Sequence, residues 1–112
     1  MWTIQLSREY SVSENLIKID ERAGEPIGDL IRNLRHRRGL TQGGLAGKLA
    51  DVSGNDAVNR RQIARWEHGK RIPGRYWRNW IGLALDVPVG QLNRAAAFSQ
   101  FLRAVPDDWE VR

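Results

Sequence analysis

The chain contains no cysteine and no apolar run as long as a membrane span. The lack of cysteine among 112 residues excludes a disulfide framework and a zinc site built on thiolates. A spanning helix needs about 20 apolar residues, which no stretch provides, and the N-terminus lacks the apolar core of a signal peptide. We therefore expect a cytoplasmic protein that consists of one domain and at most a short tail, and that has no membrane partner.

Acidic residues are scarce in the middle of the chain. From Arg32 to Arg78 there are twelve basic residues and only three acidic ones, a net charge of +9, so the flanks carry −4 of the overall +5. Arginine outnumbers lysine fifteen to three. Its planar guanidinium makes bidentate contacts to phosphate and guanine that an ammonium group makes less well. This pattern favours nucleic-acid binding over a solvated surface, which would normally mix both signs.

Residue patterns typical of enzymes and metal sites are also missing. His36 and His68 have no cysteine or carboxylate at metal-ligand spacing, and no serine has a histidine base nearby in the pattern. Asp51 and Asp56 do not form a calcium loop, and the glycines near Gly43 match no phosphate-binding motif. We therefore expect a protein that is not an enzyme and that uses no metal, cofactor or small-molecule ligand.

Apolar residues at helical spacing predict five helices within residues 25–105. Each helix is bounded by residues that cap a first turn or break the helical backbone. In chain order these are Pro26, Gly39, Thr41, Asn59, Gly69, Pro73, Gly74, Pro88 and Pro106. The expected fold class is all-α, with a loop at 51–57 between the second and third helices.

The glycines of the second helix and the apolar residues of the fifth helix each lead to a prediction about packing. Gly43, Gly44 and Gly47 lie in the second helix, where each glycine costs about 0.5–1 kcal/mol relative to alanine, so we expect close backbone approach. A neighbouring helix is favoured over phosphate as the approaching group. In the fifth helix, the spacing of Val89, Leu92, Ala96 and Leu102 predicts that these four residues share one side.

The two flanks of the domain are short and different in character. In residues 1–24, Trp2, Ile4 and Leu6 alternate with polar residues, which predicts a strand. Residues 16–19 could form its hairpin partner or one turn of helix, and the hairpin is preferred. The alternative for this extension is an arm. Residues 106–112 form a short acidic tail.

The most specific pattern lies between Leu40 and Pro73. Thr41 and Gln42 open an apolar helix, and a second short helix follows that carries three arginines. Two short helices, the second basic at its start, are the layout that places side chains in a DNA major groove. The residues that define this segment are Thr41, Gln42, Leu45, Ala46, Val58, Asn59, Ile63, Trp66, Glu67, Gly69, Lys70 and Pro73.

With these residues the chain resembles the lambda-repressor-like, Xre-type helix-turn-helix family over about residues 27–92. The resemblance implies a five-helix DNA-binding domain and a sequence-specific regulator of transcription, most simply a repressor, associated with the nucleoid. Its partner would be double-stranded DNA, bound as a homodimer. One feature departs from the family: Leu45 and Val58 are separated by more residues than in relatives, so either the second helix or the turn is longer.

The resemblance also assigns roles to individual residues. Base edges would be read by the helix 60–68, with Gln62 at the rim, able to reach a base or a phosphate. The base-reading set is Arg60, Arg61, Gln62 and Arg65, and the phosphate-binding set is Arg35, Gln42, Asn59, Lys70 and Arg71. Arg35 and Glu67 would form an internal ion pair that orients Arg35 towards phosphate, and Gln42 would also brace the recognition helix.

Two questions about partners stay open at this point. The dimer surface could be the helix at 89–105, which we favour, or the N-terminal segment, and a monomer that uses residues 1–24 as a DNA arm is a rival. A second class of function is an antitoxin or anti-regulator. Its protein partner would bind the apolar and acidic flanks, 1–24 and 98–112.

Overall fold

The computed structural model describes residues 24–104, and this part of the chain contains helices and no strand. The helices are α1 (Ile27–Arg37), α2 (Gln42–Ser53), α3 (Arg60–Glu67), α4 (Arg75–Leu85) and α5 (Val89–Ala104). The all-α class predicted from the sequence is confirmed over this range. The predictions for the N-terminal extension, apart from Gly24, and for the tail 106–112 fall outside the described residues.

Short polar side chains begin two of the helices. The Thr41 hydroxyl accepts a hydrogen bond from the Gly44 amide at 2.8 Å, and the Asn59 side-chain oxygen accepts one from the Gln62 amide at 3.0 Å. Each bond satisfies an amide that has no partner within its own helix. Pro26, with a ψ of 146°, is the residue before α1 and not its first helical residue.

The five helices close into a ring around one core. α1 packs against α3 and α5, α2 packs against α3 and α4, and α4 packs against α5, so each helix has two main neighbours. Trp66 is the largest fully buried side chain, and its ring lies 6.4 Å from that of Trp77, centroid to centroid. The residues buried inside the ring are Ile27, Leu30, Ile31, Leu34, Leu45, Ala46, Leu49, Val58, Ile63, Trp66, Ile81, Ala84, Leu85, Leu92, Ala95 and Ala96.

The extra residues between Leu45 and Val58 are divided between α2 and the turn that follows it. α2 continues to Ser53, so the loop predicted for 51–57 was placed too early, and the turn begins at Gly54. Gly54 takes a left-handed conformation, with φ of +71°, and its amide donates to the Ala50 carbonyl at 2.8 Å. The Ser53 hydroxyl donates to the Leu49 carbonyl at 2.6 Å and accepts from the Asn55 amide at 3.0 Å. These local bonds end α2 sharply and fix the start of the turn.

The close helix approach occurs in α1 and not in α2. A Cβ atom on Gly47 would meet nothing within 4 Å, and one on Gly43 would meet only the Thr41 hydroxyl, so the predicted packing role of the α2 glycines was wrong. On Gly28, by contrast, a Cβ atom would collide with the Trp66 carbonyl oxygen and lie 2.8 Å from that of Glu67. The C-terminal end of α3 therefore rests directly on the backbone of α1.

The last turns of α5 extend beyond the core. Leu92 and Ala96 are buried, as their spacing predicts, but Leu102 is 46% exposed and its neighbour Phe101 is 60% exposed. Leu102 follows Val89 by thirteen residues, which is a rotation of about 220° around the helix, so the prediction that these residues share one side was wrong for Leu102.

We expect Gly28→Ala to destabilise the protein by about 1–3 kcal/mol, because the added methyl meets backbone carbonyls that cannot move aside as a side chain would. Gly47→Ala is the matched control in an exposed helical position, and it should stabilise by about 0.5–1 kcal/mol. Urea unfolding of both variants measures the difference. A Gly28→Ala protein as stable as the parent would contradict the close packing of α1 on α3.

Candidate nucleic-acid interface

α3 has one face in the core and one face in solvent. Ile63 and Trp66, three residues apart, are 0% and 1% exposed, so the helix cannot rotate about its axis without exposing them. Arg60, Arg61 and Arg65 all lie on the exposed side, as the sequence predicts. Because α3 is anchored in this way, the core sets where the backbone of these three arginines lies, and their side chains extend into solvent.

The beginning of α3 presents polar groups to solvent. Asn59 is exposed and uses its side-chain oxygen as the cap of α3, which leaves its side-chain NH2 group without a partner among residues 24–104. The preceding residue, Val58, is buried and holds the start of the helix against the core. Helix N-termini carry free amides and a partial positive charge, and both favour an anionic ligand.

The end of α3 is held by a buried carboxylate. Glu67 is 3% exposed, and its Oε2 and Oε1 atoms accept hydrogen bonds from Nε and Nη2 of Arg35 at 2.6 and 2.9 Å. Oε1 also accepts a hydrogen bond from Nε2 of Gln42 at 3.0 Å. Since Arg35 lies in α1 and Gln42 begins α2, one side chain connects three helices. We call Glu67, Arg35 and Gln42 the Glu67 cluster.

Two further arginines bind carbonyl oxygens where α3 ends, and the sequence analysis did not identify either of them. Nη2 of Arg32 donates to the Glu67 carbonyl at 2.9 Å, and Nη2 of Arg103, from α5, donates to the Gly69 carbonyl at 2.8 Å. The last carbonyls of a helix lack partners within the helix, so these contacts satisfy them. The spacing of three residues between Arg32 and Arg35 placed both on one face of α1, and this signal could have pointed to Arg32.

The Glu67 cluster shifts the acidity of its members. Burial raises the pKa of Glu67, but the hydrogen bonds from Arg35 and Gln42 and the charges of Arg35 and Arg32 outweigh it, so its pKa lies below the usual value. The hydrogen bond to Glu67 raises the pKa of Arg35. The pair is therefore fully ionised at neutral pH.

Arg35 differs from the role that the family resemblance implies. It is only 8% exposed, and its third nitrogen, Nη1, donates to the Leu40 carbonyl at 2.9 Å. All three guanidinium nitrogens thus have partners inside the protein, through three of their five N–H groups. Arg35 braces α3 in this structure, and its assignment to phosphate binding stays a prediction.

The twelve basic residues between positions 32 and 78 divide into two groups. Four have partners in the protein: Arg32, Arg35, Arg38 and Arg78. Arg38 lies 3.7 Å from the Asp86 carboxylate. Arg78 donates to the Asn93 side chain at 2.8 Å and to the Pro73 carbonyl at 2.9 Å. Burial, together with the charge of Arg75, lowers the pKa of Arg78. The other eight are exposed and form no side-chain hydrogen bond or ion pair with residues 24–104: Arg37, Lys48, Arg60, Arg61, Arg65, Lys70, Arg71 and Arg75.

The turn after α3 keeps two of these eight residues beside the helix. Gly69 adopts a φ of +77°, and the Lys70 amide then donates to the Arg65 carbonyl at 2.9 Å. The Arg71 amide points to the same carbonyl at 3.4 Å. Lys70 and Arg71 are consequently held near the last turn of α3, next to Arg65.

Other kinds of site are not supported by this part of the molecule. Among residues 24–104, no three histidine or acidic side chains lie together as a metal site requires. None of the five helices is both long and apolar enough to cross a membrane. Comparisons with protein families, with curated proteins and with solved structures found no match for this chain.

We expect Glu67→Gln to lower the free energy of unfolding by about 3–5 kcal/mol, because the buried Arg35 guanidinium loses its counter-charge. Asp29→Asn is the control: it removes the exposed 3.7 Å ion pair with Arg32 and should change stability by less than about 1 kcal/mol. The double change Arg35→Met with Glu67→Leu should recover much of the loss. Urea unfolding would contradict the role of the Glu67 cluster if Glu67→Gln and Asp29→Asn had equal effects.

The lowered pKa of Glu67 predicts how stability depends on pH. The contribution of its carboxylate is complete above the pKa of an unfolded glutamate, about 4.3, and is lost as the pH falls through the lower folded pKa. The stability difference between the parent and Glu67→Gln should be constant from about pH 7 to 5.5 and shrink below about pH 4. Urea unfolding over this range measures it. A difference that persists unchanged into acid would contradict the assignment.

Proposed function

We propose that residues 25–105 bind double-stranded DNA in a sequence-specific manner and that the protein regulates transcription, most simply as a repressor. The observation that carries this proposal is the position of Arg60, Arg61 and Arg65 on the solvent side of α3, while its other side is fixed in the core. A side chain that reads bases must be both accessible and held in register. α3 meets both requirements.

The dimensions of α3 suit a major groove. An eight-residue helix is about 12 Å long, and its diameter with side chains, about 10–12 Å, matches the width of the groove in B-DNA. With α3 inserted, Arg60, Arg61 and Arg65 would be the base readers, with Gln62 at the rim. Arginine favours guanine because O6 and N7 accept its two parallel N–H groups.

Phosphate contacts would come from residues around the ends of α3. Lys70 and Arg71 lie in the turn after it, and the side-chain NH2 group of Asn59 lies at its start. Gln42 donates one of its two amide hydrogens to Glu67 and has the second available for a phosphate oxygen. Contacts of this kind give affinity and register without selecting a sequence.

The lambda-repressor-like family remains a proposal about the type of fold. The five helices, the Asn59 cap, the buried Trp66 and the joining of Gln42 and Arg35 to Glu67 support it. We also propose that the protein binds DNA as a homodimer. The exposed Phe101 and Leu102 on α5 favour that helix as the dimer surface.

The same exposed side chains favour a second candidate function. Phe101 and Leu102, which are neighbours near the end of α5, are 60% and 46% exposed, and exposed large apolar side chains can bind a protein. The protein would then act as an antitoxin or anti-regulator, and DNA binding would be secondary.

Selection from a random duplex pool distinguishes these functions, with the selected site retested by fluorescence anisotropy across a salt series. A guanine-containing site supports the regulator, and a palindrome supports a dimer whose half-sites lie about 34–36 Å apart. Steep salt dependence with no enriched sequence would indicate a phosphate-backbone binder. No binding near physiological salt would favour the protein-partner function.

On the selected duplex, we expect Arg61→Ala to weaken binding by about 1–3 kcal/mol and to relax the preference at one base pair, because a base reader acts at a single position. Lys70→Ala should weaken all sequences alike and reduce the slope of log affinity against log salt by about one, as loss of a phosphate contact does. If Arg61→Ala reduced binding equally on every sequence, Arg61 would not be a base reader.

A further inference from the structure

A groove of about 370 Å³ lies where the start of α1, the turn after α3 and the last turns of α5 meet. Arg32, Arg71 and Arg103 line it and give it a positive charge. Its acidic lining residues are Asp29, which pairs with Arg32, and Glu67, which is buried in its own cluster. We call this the α1–α5 groove. The charge that remains unbalanced in the groove is therefore positive, which favours an anionic ligand.

The wall of the α1–α5 groove also has an apolar part. Ile27, Ile72 and Leu102 belong to it, and Leu102 is 46% exposed. Three arginines beside an apolar wall suit a ligand that combines carboxylates with a large apolar side chain. A small inorganic anion would leave the apolar part uncovered.

We propose that the α1–α5 groove is the docking site of residues 105–112 of this same chain. This segment, Val-Pro-Asp-Asp-Trp-Glu-Val-Arg, has three acidic residues and one tryptophan within eight positions. Asp107, Asp108 and Glu110 match the charge of the groove, and Trp109 matches its apolar wall. The complementarity is therefore in both charge and polarity.

The proposed docking segment directly follows residues that line the groove, so only a short length of chain is needed to reach it. Leu102 and Arg103 line the groove, and residue 105 follows α5 directly, so the segment starts at the groove. Eight extended residues span about 26–29 Å, which allows the three acids to meet the arginines without moving α5. An intrachain contact of this kind benefits from a high effective concentration.

The other flank of the chain matches the same groove less well. Glu25, which precedes α1, accepts a hydrogen bond from the Asn33 side chain at 2.7 Å and lines a different, smaller recess with Leu34 and Gln91, whereas the next residue, Pro26, lines the α1–α5 groove. Residues 1–23 thus join the domain between the recess and the groove, and it is their charge that distinguishes them. Their net charge of −1 is also spread over 23 residues, whereas residues 105–112 carry −2 within eight.

Docking would have a consequence for nucleic-acid binding, and only this consequence rests on the proposed function. Arg71 lines the groove and belongs to the turn that is proposed to contact phosphate. A docked acidic segment would occupy Arg71 and place negative charge beside Lys70. Residues 105–112 would then compete with the DNA backbone and lower the affinity for every sequence alike.

The absence of cysteine allows a direct test of docking in the full chain. Val111→Cys provides a single thiol for a nitroxide label and keeps all three acids and Trp109. In ¹⁵N-labelled protein we expect the label to broaden the amide signals of Gly69, Arg71 and Ile72, and not those of Gly47 and Lys48 on α2. Equal broadening everywhere, or none in the turn after α3, would overturn the proposal.

Two controls identify the occupant and the forces that hold it. Neutralising the segment with Asp107→Asn, Asp108→Asn and Glu110→Gln should abolish the selective broadening, and its persistence would overturn the charge pairing. In a mixture of spin-labelled ¹⁴N protein with unlabelled ¹⁵N protein, we expect no broadening of the Gly69, Arg71 and Ile72 signals. Broadening of these three signals would overturn intrachain docking in favour of a second copy. If a label at Ser7→Cys broadened them and the label at Val111→Cys did not, the occupant would be residues 1–23.

The consequence is measured separately, by anisotropy on the selected duplex. Neutralising the segment should raise the affinity for the duplex about fivefold. This is the gain expected if residues 105–112 occupy the groove about four-fifths of the time in the parent protein. Glu9→Gln, Glu14→Gln and Asp20→Asn together change the net charge equally and are the matched control. An equal gain in that control would overturn the competition, whereas selective broadening without any DNA binding would support docking and contradict the proposed function.

Discussion

The buried carboxylate of Glu67 is the interaction on which the candidate site depends. It is a negative charge almost without solvent contact, so it requires the two parallel hydrogen bonds from Arg35 and the third from Gln42. These partners belong to different helices, which means that α3 cannot shift along its axis without breaking a charged contact. The apolar side of α3 fixes its rotation, and Glu67 fixes its position. Together they fix the backbone from which the exposed arginines of α3 extend.

Hydrogen-bond partners within residues 24–104 divide several arginines of this chain into two groups. Arg32, Arg35 and Arg103 bind acceptors at the end of α3 and shape the fold, while Arg60, Arg61 and Arg65 face solvent on the same helix. The net charge of +9 between positions 32 and 78 therefore overstates what a ligand would meet. Composition predicts an anionic ligand, whereas the contacts within the protein decide how many N–H groups of each arginine are left for one.

The parts of the fold that could be predicted are those set by neighbours in the sequence. The caps at Thr41 and Asn59 depend on residues three positions away, and the apolar stripes depend on the helical period. Gly28 was missed because its role comes from the approach of a helix end about 39 residues later. The Arg35–Glu67 contact, across 32 residues, could be expected only through the family resemblance. Leu102 was assigned to the apolar side of α5 although its spacing of six residues from Ala96 does not keep the helical period.

The closed ring of helices determines how the domain can come apart. Because α1 packs against α5, the first and last helices each share interfaces with two others, as the inner helices do. In an open array a terminal helix has one neighbour and frays first. Here the detachment of any whole helix opens two interfaces, so the ring favours a single cooperative unit.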